Sequence, residues 1–345
     1  MSIRRPGSTT VFGGLLLLLL GSLIAGVAVG ETAIPPGQVA QVLLSRVGWA
    51  AAVADPTLEA IILAYRLPGA VVLALVGAAL SGAGVLFQGM LRNPLADPYA
   101  LGTSGGAAVG AVLGMLTGAR ISFLGLGAVP LFAFAGAMAA MLLVMQLATV
   151  GGRLPMVTVL LAGFAVSTVL GACLTMLLQI GNLQQTTTVY RWMAGGGGVA
   201  GWREVSTAGP LILLGLAACA GLVRSLNAFS LGEDGAARVG VNVEQDKRLT
   251  LAAGSFLTAV AVSLSGLVGF VGLVVPHAAR LLVGPDHRRL LPAAALAGAS
   301  FLTLCDLLAR VLFPPGGLPV GVVTAFLGGP FFLYLLRKSR REYQW

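Results

Sequence analysis

LPGAVVLALVGAALSGAGVLFQ, residues 67–88, is the stretch whose reading decides the fold class. It carries no charged side chain, and about 20 consecutive apolar residues in a helix rising ~1.5 Å each match the hydrocarbon thickness of a bilayer. Working outward, nine further runs of this kind emerge at 11–30, 99–117, 123–149, 156–180, 205–224, 247–267, 269–283, 290–312 and 319–336. Over all 345 residues, 57% are hydrophobic and only 10% are charged, against about a quarter charged in ordinary soluble domains. With a mean hydropathy of +0.94, a water-soluble globule is excluded. The expectation is an all-α polytopic membrane protein of about ten transmembrane helices, residues 1–345 forming one domain.

The formal charge is +9, but the basic residues are scattered in ones and twos between apolar runs, which excludes a nucleic-acid surface and fits membrane loops. In a ten-span arrangement, only Arg46, Arg66, Arg120, Arg191, Arg203 and Arg310 of the 21 Lys and Arg fall on one side. The other side, with both termini, is therefore expected to be cytoplasmic. The first run follows Arg4 and Arg5 and ends in a signal-like Ala28-Val29-Gly30, yet its apolar part is longer than a usual signal core, so an uncleaved span is expected. The eighth run is short and carries Pro276, a place for a break.

Several features read as packing. Gly102, Gly106, Gly110, Gly114 and Gly118 recur every fourth residue, forming a ridge on one helix face that lets backbones approach closely. Cys173, Cys219 and Cys305 all lie in apolar stretches without CxxC spacing and read as buried thiols. His277, beside Pro276, reads as a packing or turn residue, and His287 as a solvated loop residue. Residues 36–48 look like a short interfacial helix, and the polar 181–203 segment like an external surface or vestibule.

Missing chemistry narrows the function. The two lysines, Lys247 and Lys338, cannot complete GxxxxGK[ST], so ATP hydrolysis would belong to a partner. No His, Cys or carboxylate constellation supports a metal site or an intramembrane enzyme, so no catalytic or metal-binding residue is assigned. Apart from Asp306, placed to pair with Arg310 at i,i+4, spans two to nine are nearly free of ionisable groups. That scarcity disfavours the alternative of an ion-coupled secondary transporter.

The longest polar loop, SLNAFSLGEDGAARVGVNVEQD (225–246), holds two helix-start patterns. Ser230 with Glu233 spells a capping box and Asn242 with Gln245 a looser one, while Gly240 is placed to end the first helix. A short helix over 231–239 with exposed Glu233, Asp234 and Arg238 suits docking to a cytoplasmic partner.

RLPGAVVLALVGAALSGAGVLFQGMLRNPLADPYALGTSGGAAVGA (66–111), GFVGLVVPHAARLLVGPDHRRLLPAAALAGAS (269–300) and GLPVGVVTAFLGGPFFLYLL (317–336) together resemble the FecCD family, the bacterial permease subunits that import ferric siderophores, haem and cobalamin. The resemblance implies a type II ABC importer permease in the bacterial inner membrane, paired with a second copy or close relative around a shared path. It further implies two cytoplasmic ATPase subunits and an external substrate-binding protein. No cofactor is expected on this chain, ATP and Mg being held by the partner. The family's coupling segment matches 228–241, with Ser230, Leu231, Gly232, Glu233, Asp234, Ala237, Arg238 and Gly240. Arg66 and Arg310 match arginines that dock the binding protein, although Gly69 stands where many relatives carry a second Arg. Residues 156–180 and the outer 186–195 segment, with its polar Thr186, Thr187 and Thr188, are expected to line the path. A ferric siderophore is the working cargo; WMAGGGGVAGW (192–202) leans slightly toward cobalamin-type members.

Overall fold

The computed structural model describes residues 8–30, 33–46, 48–49, 55–118, 121–123, 125–196, 201–313 and 316–339. Arg4, Arg5, Arg120, Arg340 and Arg341 of the charge tally, and residues 197–200 of the glycine run, lie outside them. Each of the ten apolar runs becomes a helix. These are α1 (Ser8–Ala28), α4 (Leu67–Met90), α5 (Thr103–Leu116), α6 (Ala128–Ala148), α7 (Met156–Ile180), α9 (Trp202–Gly221), α12 (Val243–Ser265), α13 (Val271–Val283), α14 (His287–Leu312) and α15 (Val320–Ser339). Among the described residues, seven helices are long and apolar enough to cross a membrane; α5, α13 and the apolar part of α15 are shorter. The interfacial helix is α2 (Pro36–Arg46). Three more short helices, α3 (Pro56–Ala60), α10 (Val223–Phe229) and α11 (Glu233–Arg238), join α8 (Leu183–Met193) between the long ones.

α4 is the axis of the bundle. Asp55 caps α3 through Thr57 and Leu58, and a π-helical turn at Ile61–Arg66 joins α3 to α4 in one continuous rod, Pro56–Met90. α14, α12, α13, α9 and α1 surround α4. Glycine lets them come close: a Cβ on Gly77 would strike the Gly298 carbonyl, and one on Gly84 the Gly272 carbonyl. In lipid, where apolar burial gives helices little reason to associate, such close contact supplies the cohesion. At the other extreme, α7 has only 17% of its best apolar window buried and exposes Val157, Leu161, Phe164 and Met176.

The glycine ridge divides into two roles. Gly106, Gly110 and Gly114 pack directly on α6 against Gly136, Phe132 and Val129. Gly102 and Gly118 instead adopt positive φ of 84° and 58° at the two ends of α5, stopping the helix rather than packing its face. Pro276 also departs from expectation, since α13 runs through it from Val271 to Val283. The chain breaks just before α13, with Gly266 and Phe270 at φ 73° and 68°. There the Tyr99 hydroxyl donates to the Val268 carbonyl at 3.0 Å and accepts from its N–H at 3.1 Å, while Gln88 donates to the Leu273 carbonyl at 3.1 Å. Irregular backbone inside a membrane protein needs such internal partners.

Cys219 and Cys305 are buried, whereas Cys173, on the exposed helix α7, is only half-buried. His277 packs edge-on against Phe331. His287 is not a solvated loop residue: Asp286 caps α14 through the Arg288 N–H, placing His287 in the first turn, only 6% exposed and beside Gly89.

Candidate functional site: a charged coupling face and an arginine clamp

One end of the bundle gathers the end of α4, the α10–α11 segment and the starts of α12 and α14. Ser230 does not form the expected capping box, because its hydroxyl donates to the Asn227 carbonyl at 2.7 Å and closes α10. Gly232, at φ 87°, opens α11 instead, and the Glu233 carboxylate is drawn away to Lys247 Nζ at 2.7 Å. At the far end Gly240, φ 84°, donates to the Ala237 carbonyl at 3.0 Å and Val241 to that of Ala236 at 3.1 Å. This pair is the Schellman closure. The helix spans Glu233–Arg238, inside the expected 231–239, with Ala236 buried and Leu231, Asp234, Ala237 and Arg238 exposed. Asn242 accepts from the Gln245 N–H at 3.2 Å to start α12, the looser half of a box.

Lys247 organises this face, and sequence reasoning missed it. The side chain is buried, and its three donors meet three acceptors: Glu233 at 2.7 Å, Glu244 at 3.2 Å and the Leu154 carbonyl at 3.2 Å. Glu244 also accepts from the Leu154 N–H at 2.6 Å, and Arg248 donates to the Gly152 carbonyl at 2.7 Å. The exposed helix α11, the start of α12 and the turn leading into α7 are thus tied through one ammonium group. The local clue was the Glu244–Lys247 spacing; the remote partners Glu233 and Leu154 leave no pattern in the sequence.

At the opposite end, Arg66 and Arg310 converge on the end of α1. Arg66 donates to the Val27 and Ala28 carbonyls at 2.9 and 3.2 Å, and Arg310 to those of Val29 and Gly26 at 3.1 and 3.0 Å. The last carbonyls of a helix lack intrahelical partners and carry its negative dipole end, so two guanidinium groups satisfy them well. Asp306 pairs with Arg310 at 2.9 Å, as the i,i+4 spacing indicated. Arg66 and Arg310 therefore face inward onto α1, and with Tyr65, Arg191 and Asp306 they border a cavity of about 470 Å³.

α8 lies beside this cavity. An Asn182–Gln185 capping box starts it, an N-x-x-Q signal legible in the sequence but unused. Val189 and Trp192 are buried, while Thr187, Thr188 and Arg191 are exposed and Thr186 is half-buried. The Thr186 and Thr188 hydroxyls donate back to the carbonyls of Asn182 and Gln184, both at 3.0 Å. Among the described residues no three His, Cys, Asp or Glu converge to hold a metal ion.

A family model described as the FecCD transport family matches residues 16–338. The chain is 44% identical over 281 residues to the cobalamin import system permease protein BtuC of Halobacterium salinarum, covering 81% of this chain and 74% of that one. It is 41% identical over 284 residues to the hemin transport system permease protein HmuU of Yersinia pestis, with 80% and 83% covered. A solved metal-chelate type ABC transporter in an inward-facing conformation superimposes with a TM-score of 0.82 at 28% identity, covering 96% of this chain and 99% of that chain.

Proposed function

The chain belongs to the FecCD transport family, and from that premise we propose that it is the membrane-spanning subunit of an ABC importer that carries a large metal chelate into a bacterial cell by alternating access. It sits in the inner membrane with the α11 face toward the cytoplasm, the orientation favoured by its basic residues. Two such subunits, identical or closely related, enclose the path, and two cytoplasmic ATPases grip them from below. A substrate-binding protein delivers cargo to the opposite face.

The observation that carries this reading is α11: short, stopped at both ends by glycine, exposed on one side and joined through Glu233 to the buried Lys247 on the other. When ATP closes the ATPase dimer, the displacement of α11 passes through Lys247 to α12 and to the turn before α7. α7 and the Thr186–Thr188 strip of α8 line the path, and selectivity rests with the binding protein, so the lining needs no specific ligands. Arg66 and Arg310 act as the fixed rim on which that protein seats. Their hydrogen bonds to α1 hold the guanidinium groups in place before contact, which lowers the ordering cost of docking.

Ferric siderophore is the working cargo; the haem and cobalamin permeases among the relatives supply the comparison arms. Reconstitution in liposomes with ATPase and binding protein, measuring accumulation of the three chelates side by side, tests the proposal. One chelate should accumulate only with ATP and binding protein present. Accumulation driven by an ion gradient without ATP would replace this reading with that of a secondary carrier.

A further inference from the structure

Beside α11 lies a second feature, a cavity of about 450 Å³ at the end of α4 whose walls include Gln88, Arg92, Asn227, Arg280, Asp286 and His287. Its charge is unbalanced. Arg280 is half-buried, and the partner of its guanidinium is the neutral Gln88 Oε1 at 3.3 Å. Arg92 has φ 50°, one of two non-glycine residues in the left-handed region among those described, a conformation that costs energy for an ordinary side chain. That conformation sets its guanidinium beside Gly232, where α11 begins.

Neither arginine has a carboxylate within 4 Å among the described residues. Asp286, the acid on the cavity wall, is already occupied, accepting from Asn227 at 2.8 Å and from the Arg288 N–H at 3.0 Å. His287 Nδ1 lies 2.7 Å from the Asn227 Oδ1, an acceptor, so the ring donates there and supplies no negative charge. A half-buried cation without a counter-ion lowers the stability of the isolated subunit.

Position identifies the kind of partner. The cavity lies at the end of the central helix, which α14, α12, α13 and α9 surround, and Asn227 and Ser230 on its wall lead directly into α11. That placement favours a group arriving from the cytoplasm over a lipid headgroup arriving from the side. Resting on the functional reading above, we propose that this cavity receives a carboxylate side chain of the ATPase subunit, inserted between Arg92 and Arg280. It is a second point of attachment beside α11, and a planar guanidinium suits a carboxylate there better than an ammonium would. With one contact on α11 and another spanning the ends of α4 and α13, the ATPase can rotate α11 relative to the bundle axis instead of only pulling on it.

The test uses full-length permease in nanodiscs, wild type, R92Q, R280Q and the double variant, with affinity for the ATPase subunit measured across ionic strength. The double variant should bind about 10-fold more weakly with a flatter salt dependence. Thermal unfolding of the isolated R280Q subunit should be unchanged or shifted upward, because an uncompensated charge is removed, whereas a purely structural arginine would shift it down. R92Q removes an exposed side chain and remains informative if R280Q folds poorly. Charge reversal of one acidic ATPase residue should restore binding to an R92E permease. If the double variant binds as wild type while D234K and R238E bind weakly, the cavity proposal falls and α11 stands. If every variant binds as wild type and uptake needs no ATPase, the functional reading itself falls. Stabilisation of wild type but not the double variant by phosphatidylglycerol, with ATPase affinity unchanged, would assign the cavity to a lipid phosphate and overturn the proposal.

Discussion

Replacing Lys247 with Met removes the one group that joins α11, α12 and the turn before α7. The cost follows from what each partner loses. Glu244 keeps its 2.6 Å bond from the Leu154 N–H and is partly exposed, so it is not stranded. The Leu154 carbonyl, on a fully buried residue, loses an acceptor bond, worth about 1–2 kcal/mol. Glu233 is 48% exposed and returns to water, so its pairing contributes at most about 1 kcal/mol after solvent screening. The total is about 1–3 kcal/mol, below the ~3–5 kcal/mol toll of breaking a fully buried ion pair. Reversible denaturation in detergent should show that loss for K247M and a smaller one for E233Q, with a coupling of about 0.5–1 kcal/mol between the two in a double-mutant cycle. The functional signature is separate: ATPase binding persists while cargo moved per ATP falls. A K247M transporter with wild-type cargo per ATP would refute the assignment of Lys247 as the link. The same geometry rules out E233K as a docking test, because it would set a second ammonium against Lys247; Asp234 and Arg238, exposed and in no ion pair among the described residues, are the residues to reverse.

Two further outcomes are expected. R66Q and R310Q each remove charged donors from the end of α1 and should lower stability by about 1–2 kcal/mol while weakening binding of the substrate-binding protein; unchanged affinity and salt dependence would leave the pair with the structural role alone. The Asp286 carboxyl is held below the usual carboxylate range by the Arg288 N–H, the Asn227 amide and the charges of Arg288 and Arg289. Its folded pKa is depressed, so its stabilisation is fully present above the unfolded value of about 4 and disappears as pH falls through the folded one. D286A should cost about 1 kcal/mol at neutral pH through the lost cap and flatten the acid limb of the unfolding curve; an acid limb identical to wild type would refute this role.

Periodic and local signals were legible in the sequence. α7 occupies the expected 156–180, and Gly240 closes α11 as its position indicated, because run length and glycine conformation are properties of a few neighbouring residues. Where local rules failed, a remote group had intervened. Ser230 and Glu233 have capping-box spacing, but Lys247, buried in the next helix, claims the Glu233 carboxylate. Arg66 and Arg310 stand out in the sequence as arginines beside apolar runs, yet their attachment to Gly26–Val29 depends on α1 lying beside both, which no spacing within either motif encodes. His287 was misplaced for a different reason: PDHRR carries its own Asp286 cap, and the His belongs to the helix that cap begins.

The distribution of glycine and charge divides the molecule into a close-packed core and a sparser, polar part. Gly77 against Gly298 and Gly84 against Gly272 bring α4 so close to α14 and α13 that sliding would drive backbone into backbone. Close-packed interfaces of this kind hold discrete arrangements and do not deform gradually. α4 begins directly after Arg66 and leads into Arg92 at its other end, so the arginine clamp and the cavity beside α11 belong to the same close-packed core. In the proposed cycle, motion that opens a path arises where packing is sparse or polar: at α7, whose face is mostly exposed, and at α11, which is held by the Glu233–Lys247 ion pair. Lys247 lies between these two elements and away from the glycine contacts, so in the proposed cycle a pull on α11 reaches the turn before α7 without passing through the α4 contacts.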